Sequence, residues 1–203
     1  MITITKRIEK IPIGHRLMQY SGGCANIHGH NIDIDISLSS NNELNDSGFV
    51  LDFGEIKKGI GKKIKKYFDH AFLANPFDRS TIEFLQREGY ACFIMPIPVT
   101  NADTFKQLVG YCNPTAENIA NLIFNWTLDD IVAMDDPHVH DHVSVKEVKI
   151  YESTTALATV DKVNHMYASR DQMIIDLLDD LLETDKLKIM GAFKHAGRFF
   201  SGQ

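Results

Sequence analysis

The chain opens on apolar alternation, with Ile2, Ile4 and Ile8 set among polar residues. Alternate residues of a strand share a face, so MITITKRIEKI predicts a strand. The parity then shifts to Ile11, Ile13 and His15, and Pro12 marks the place for a bulge or an edge position. A strand resuming there points His15 the same way as Ile11 and Ile13. A stricter alternation follows: Ile32, Ile34 and Ile36 against Asp33, Asp35 and Ser37 predict a half-buried strand over 28–39. NNELNDSG at 41–48 is a turn-rich loop.

The period then lengthens. Ile56, Ile60, Ile64 and Phe68 recur at every fourth position and predict a helix over 52–68. Lys57, Lys58, Lys62, Lys63, Lys65 and Lys66 fill much of its remaining surface, which reads as a solvated face. Gly59 and Gly61 weaken this helix, so packing must support it. In NPTAENIANLIFNW, Thr115 is a good N-cap, and Ile119, Leu122, Ile123 and Trp126 form the buried stripe of a second helix. VSVKEVKIYES and TTALATV read as a hairpin in which Val148, Ile150 and Glu152 share one parity. The resulting order is strand, strand, helix, insert, helix, strand, strand. The insert, about 77–112, holds a short helical pattern (DRSTIEFLQREG) and an apolar run (YACFIMPIPV). Residues 161–203 hold an acidic amphipathic helix, DQMIIDLLDDLLE.

Composition narrows the functional classes. The 203 residues suffice for one domain with a sizeable core, and 44% of them are apolar. The formal charge of -6 argues against a nucleic-acid backbone as the main partner, which needs a basic field. A small phosphorylated substrate needs only a few local cations. No apolar run is long enough for a membrane span, and the N-terminus is not a signal peptide. Three cysteines do not suggest a disulfide framework, so a soluble, reduced, cytoplasmic protein is expected.

The chemistry concentrates in CANIHGHNIDIDIS. His28 and His30 stand at i and i+2 on the predicted strand and form a chelating pair on the face continued by Ile32. Asp33 and Asp35 point the other way. A third imidazole is available from His15 on the first strand. Three histidines with an open fourth position is the pattern of a catalytic zinc. Cys24 stays open between two roles, fourth ligand or free thiol acting as a base near the cation. Cys92 and Cys112 read as small buried apolar residues. Asp69 and His70 end the lysine-rich helix. They can act as a proton relay only if the helix has ended and the chain has turned there. Pro137-His138-Val139-His140-Asp141-His142 is a rival metal site whose preferred reading is a polar loop with solvated histidines.

These features together resemble the 6-pyruvoyl-tetrahydropterin synthase / 6-carboxytetrahydropterin synthase family. The matching pieces are His15-Arg16-Leu17, Cys24-x-x-x-His28-Gly29-His30, Leu51-Asp52-Phe53-Gly54, Asp69-His70, Pro114-Thr115-Ala116-Glu117-Asn118 and Tyr151-Glu152. Their order and spacing fit the family over about residues 1–160. The resemblance implies an α+β tunnelling fold (T-fold). In it a four-stranded antiparallel sheet carries two helices between strands 2 and 3. Sheets join into a barrel in a homo-oligomer, commonly a hexamer. It implies a catalytic domain over 1–160, while the insert at about 77–112 and a C-terminal helical extension over 161–203 exceed a minimal bacterial member. By motif, His15, His28 and His30 would hold zinc (Zn2+), Cys24 would be the base, and Asp69 and His70 would complete proton transfer. Glu152 would anchor the pterin ring, with Thr115 and Glu117 in the same pocket between subunits. The substrate implied is 7,8-dihydroneopterin triphosphate. Its cations remain unassigned, with Arg16 and the helix lysines as candidates. The four-residue step from Cys24 to His28 looks like the 6-carboxy-forming branch of queuosine precursor synthesis. Pyruvoyl formation or aldolase-type cleavage is the alternative, and a non-catalytic pterin- or metal-binding oligomer the second.

Overall fold

The computed structural model describes residues 1–98 and 102–162. Residues 163–203, with the expected helix DQMIIDLLDDLLE, lie outside the described residues. The architecture is α+β. Among the described residues six strands follow one another as β1 (Ile2–His15), β2 (His28–Ser40), β3 (Ala71–Ala74), β4 (Cys92–Ile94), β5 (Val143–Tyr151) and β6 (Leu157–Val160). They hydrogen-bond in the order β4-β3-β1-β2-β5-β6. β1, β2, β5 and β6 are the four expected strands, and β2 pairs antiparallel with β5 and β5 with β6. β3 and β4 are additions that the sequence reading did not foresee, and they pair in parallel. Their connection is the helix α3 (Arg79–Glu88), as a parallel pair requires.

Two compact units share the chain. The first takes residues 1–13, 29–70 and the described part of 115–164. Its core is built by the predicted periodicities. Ile32, Ile34 and Ile36 are fully buried on β2, and Val148 and Ile150 on β5. Burying such a side chain is worth about 1.5–3 kcal/mol. The helix α5 (Ala116–Val132) lies against β5 and β6, with Ile119, Leu122 and Ile123 buried, and begins where its cap predicts: Thr115 Oγ1 accepts from Asn118 N–H at 3.3 Å.

The lysine-rich helix is real but interrupted. It runs as α1 (Phe53–Ile56), a π-helical stretch over Lys57–Gly61, and α2 (Lys62–Phe68). The kink falls at Gly59, with ψ of -107°. A Cβ there would stand 2.8 Å from Asp130 Oδ2, so glycine lets that carboxylate approach the opened turn. Ile56, Ile60, Ile64 and Phe68 are all buried, so packing offsets the weak glycines as expected.

The half-buried reading of β2 needs correction. Its second face is also covered, by a cross-strand polar ladder. Arg7 donates to both oxygens of Asp35 at 2.6 Å, Thr5 and Ser37 hydroxyls meet at 2.9 Å, and Ser39 and Ser144 hydroxyls at 3.1 Å. Asp35 is thereby held below the usual carboxylate range, first by its hydrogen bond to Arg7.

The second unit takes residues 14–28 and, within 71–114, the described ones. Phe72, Ala74, Ile82, Leu85 and Ile94 form one apolar cluster between β3, α3 and β4. Ile97, Leu108 and Cys112 form another with α4 (Phe105–Tyr111), a helix capped by Thr104 and absent from the sequence reading.

Candidate metal centre

The parity shift in β1 decides where His15 points. It is produced by Lys10, whose φ of +54° turns the strand, two residues before the proline that marked the shift in sequence. Ile11, Ile13 and His15 then share the buried face, and His15 is 3% exposed. His28 opens β2 and His30 follows two residues on, both half-buried. One ligand nitrogen from each of the three rings lies within 4.8 Å of the others. Tetrahedral zinc with bonds of about 2.0–2.1 Å holds its ligand nitrogens about 3.4 Å apart, which lies within that limit.

The hydrogen bonds fix the ring states. His15 Nδ1 lies 2.7 Å from the carbonyl oxygen of Pro114, and His28 Nδ1 lies 2.8 Å from that of Asn26. A carbonyl only accepts, so each Nδ1 carries the proton and donates. That leaves the Nε2 lone pair as the ligand atom on both rings, the usual arrangement of a metal-binding histidine. The donor set therefore fits a divalent metal such as zinc. Among the described residues this is the one group of three or more His, Cys, Asp or Glu side chains that could hold a metal.

Cys24 is not a member of that group. It is exposed in a 3-10 turn over Gly23–Ala25. Burial pushes the Cys92 thiol up to about 12 and raises that of Cys112, so both stay protonated near neutral pH. Cys24 is the exposed thiol of the three.

The chain does turn at Asp69 and His70. α2 ends at Phe68, Asp69 is extended, and His70 adopts a left-handed φ of +60° while its N–H donates to Pro12 C=O at 2.9 Å. This turn brings His70 Nδ1 to 2.8 Å from Asp69 Oδ1, a contact that neighbours on a continuing helix cannot make. The pair is accessible, with His70 82% exposed.

Of the remaining expected residues, Thr115 spends its oxygen as the α5 cap. Glu117 is exposed in the first turn of that helix, where a carboxylate suits the helix dipole. Glu152 follows β5, half-buried, and its N–H donates to Ala156 C=O at 3.1 Å in the β5–β6 turn. Arg16 is engaged by the buried carboxylate of Asp78, Nε to Oδ2 at 2.8 Å. The rival PHVHDH segment is a helix, α6 (Pro137–His142), rather than a loop: Asp136 caps it and Pro137 occupies its first turn. His138 and His142 rings lie 5.3 Å apart, and no third ligand joins them among the described residues.

Sequence reasoning missed Asn113, Asn75 and Asp78. They act on backbone groups and on Arg16, which leaves no periodicity to read.

An α+β protein with a three-histidine centre suited to a divalent metal is the class that fold and site define. A sequence model of the 6-pyruvoyl tetrahydropterin synthase family matches residues 3–163, and the chain belongs to this family. A 6-carboxy-5,6,7,8-tetrahydropterin synthase of Rickettsia conorii is 29% identical over 160 residues, covering 79% of this chain and all of the relative. The protein of the same name in Haemophilus influenzae is 26% identical over 163 residues, 77% of this chain and 96% of the relative. Among solved structures, Plasmodium falciparum 6-pyruvoyl tetrahydropterin synthase superposes with a TM-score of 0.52 at 18% identity, covering 82% of this chain and 99% of its own. An uncharacterized protein from Wolinella succinogenes gives the same score at 19% identity, over 79% and 98%. These neighbours show the T-fold.

Proposed function

We propose that the chain, as a zinc-dependent lyase, converts 7,8-dihydroneopterin triphosphate and one water to 6-carboxy-5,6,7,8-tetrahydropterin, releasing acetaldehyde and triphosphate. The observation that carries this reading is the cluster of His15, His28 and His30 with Nδ1 of His15 and of His28 committed to backbone carbonyls. The names of the Rickettsia conorii and Haemophilus influenzae relatives support the carboxy-forming branch.

Zinc held by the three histidines supplies Lewis acidity that makes the hydroxyls and adjacent C–H groups of the substrate side chain easier to deprotonate. The residues of the chain divide the remaining work. Cys24 removes a proton from the side chain. His70, whose ring is oriented by Asp69 through its Nδ1, carries a second proton on Nε2. Glu152 accepts hydrogen bonds from the ring amide N–H and amino group of the pterin, with Thr115 and Glu117 beside it. Residues 1–160 form the catalytic domain, and 161–203 are an extension of it. The active sites lie between subunits of a homo-oligomer, a hexamer by preference.

Product analysis after anaerobic incubation with the substrate tests the reading. Acetaldehyde in equal amount to a 6-carboxy pterin is expected. A 6-pyruvoyl product without acetaldehyde overturns the branch assignment in favour of the activity named for the Plasmodium falciparum protein.

A further inference from the structure

Residues 16–27 link the metal-ligating ends of β1 and β2 and carry Cys24. The segment closes on itself through Leu17 N–H to Cys24 C=O at 2.8 Å and through the short turn at Gly23–Ala25. It has no strand ladder to hold it, and Asn113 supplies the equivalent. Its Oδ1 accepts from Met18 N–H at 2.8 Å, and its Nδ2 donates to Met18 C=O at 3.1 Å. One side-chain amide thus satisfies both backbone groups of Met18, as a neighbouring strand would.

The orientation of this amide is over-determined. Asn113 is 7% exposed, and its Oδ1 also receives Nδ2–H of Asn75 at 2.8 Å. Asn75 is 1% exposed and is itself fixed: its Nδ2 donates to Val109 C=O at 2.8 Å, and its Oδ1 accepts from Phe77 N–H at 3.0 Å. Flipping Asn113 would set its NH2 against two donors, so its oxygen faces Met18 N–H. The next residue, Pro114, supplies the carbonyl that fixes His15. Two consecutive residues therefore hold the Cys24 segment and a metal ligand in a common frame.

We propose that Asn113 is a positioning residue of the candidate site, anchoring the 16–27 segment so that Cys24 is held in place relative to His15. The proposal rests on the reading of Cys24 as the proton-transfer group. Displacements of about 1 Å in a catalytic group cost on the order of 100-fold in rate. Loss of the amide removes partners from both backbone groups of Met18 and from Asn75.

The test uses the full-length, zinc-loaded protein with Asn113→Ala and the near-isosteric Asn113→Asp, which keeps the acceptor and loses the donor. Zinc content, kcat and KM for 7,8-dihydroneopterin triphosphate, and amide hydrogen exchange over 16–27 are measured together. Zinc content is expected unchanged, because the His15 contact is to backbone. kcat is expected to fall about 10- to 100-fold with KM within about threefold, while exchange over 16–27 rises and that of β5 does not. Unchanged kcat, or a fall in kcat without faster exchange over 16–27, overturns the proposal. If Asn113→Ala does not fold, Asn113→Asp decides on the same readouts. Cys24→Ala separates the two levels. Retained turnover in that variant means the reading of Cys24 has failed; lost turnover there, with the Asn113 variants still active, means the anchoring proposal alone has failed.

Discussion

Removing the metal should cost stability in proportion to its affinity, and removing one ligand should abolish that dependence. On the proposed reading, zinc would bind the folded chain through residues 15, 28 and 30, which the unfolded chain does not hold together. At free zinc a thousandfold above Kd, the linkage is worth about 4 kcal/mol. For a domain of this size each kcal/mol moves Tm by about 2–4 °C, so chelation should lower Tm by roughly 8–16 °C. His28 is the better residue to truncate: it is half-buried, whereas His15 is 3% exposed and serves Pro114 C=O. His28→Ala should therefore have nearly the metal-free stability of wild type and show no zinc-dependent shift. His15→Ala should cost the metal-free protein a further 1–3 kcal/mol, roughly, for a buried carbonyl left without its donor. Differential scanning calorimetry with and without chelator reads all three. An unchanged wild-type Tm on chelation, or a full zinc-dependent shift in His28→Ala, refutes the reasoning.

Three further outcomes are expected. His138→Ala should leave zinc content unchanged by elemental analysis, because its ring contacts Val50 C=O and His142 and finds no third ligand among the described residues; a fall would revive the α6 histidines as the metal site. At pH 8, iodoacetamide should modify Cys24 and spare Cys92 and Cys112, whose thiols burial keeps protonated; peptide mapping that finds Cys112 modified in the folded protein contradicts the packing. Asp35→Asn should destabilise the protein at pH 7 by about 1 kcal/mol, a figure discounted because Arg7 is 44% exposed. The Asp35 carboxyl is depressed in the folded state, so its contribution is present above an unfolded value of about 3.9 and lost as pH falls through the folded one. Urea titrations of wild type and variant should converge at that acidic end; a gap that persists there assigns the effect to something other than the charge.

How far the chain could be read differs by element, for physical reasons. β2 and α5 were legible because a buried face imposes a period and a cap imposes a residue type. The clustering of the three histidines was legible for the same reason: His28 and His30 sit one strand repeat apart, and the parity shift carried His15 onto the buried face. The shift was visible, but its seat at Lys10 was not, since a left-handed lysine leaves no mark in hydrophobic pattern. β3 is four consecutive buried residues, AFLA, with no alternation to betray it, and its parallel partner β4 lies beyond α3. The second face of β2 was misread because serine and aspartate look solvent-facing until Thr5, Arg7 and Ser144 cover them. α6 carried its own signals, an Asp cap and a proline in the first turn, yet three alternating histidines suggested a loop. Asn113 was beyond reach, because its partners are the backbone groups of a residue 95 positions away and the side chain of Asn75.

The sharpest test of an open three-histidine zinc served by a free thiol is zinc stoichiometry and turnover measured on the same preparations of wild type and Cys24→Ala. One zinc per chain in both, with turnover of 7,8-dihydroneopterin triphosphate in wild type alone, is the predicted result. Loss of zinc in Cys24→Ala would make the thiol a fourth ligand and contradict the account.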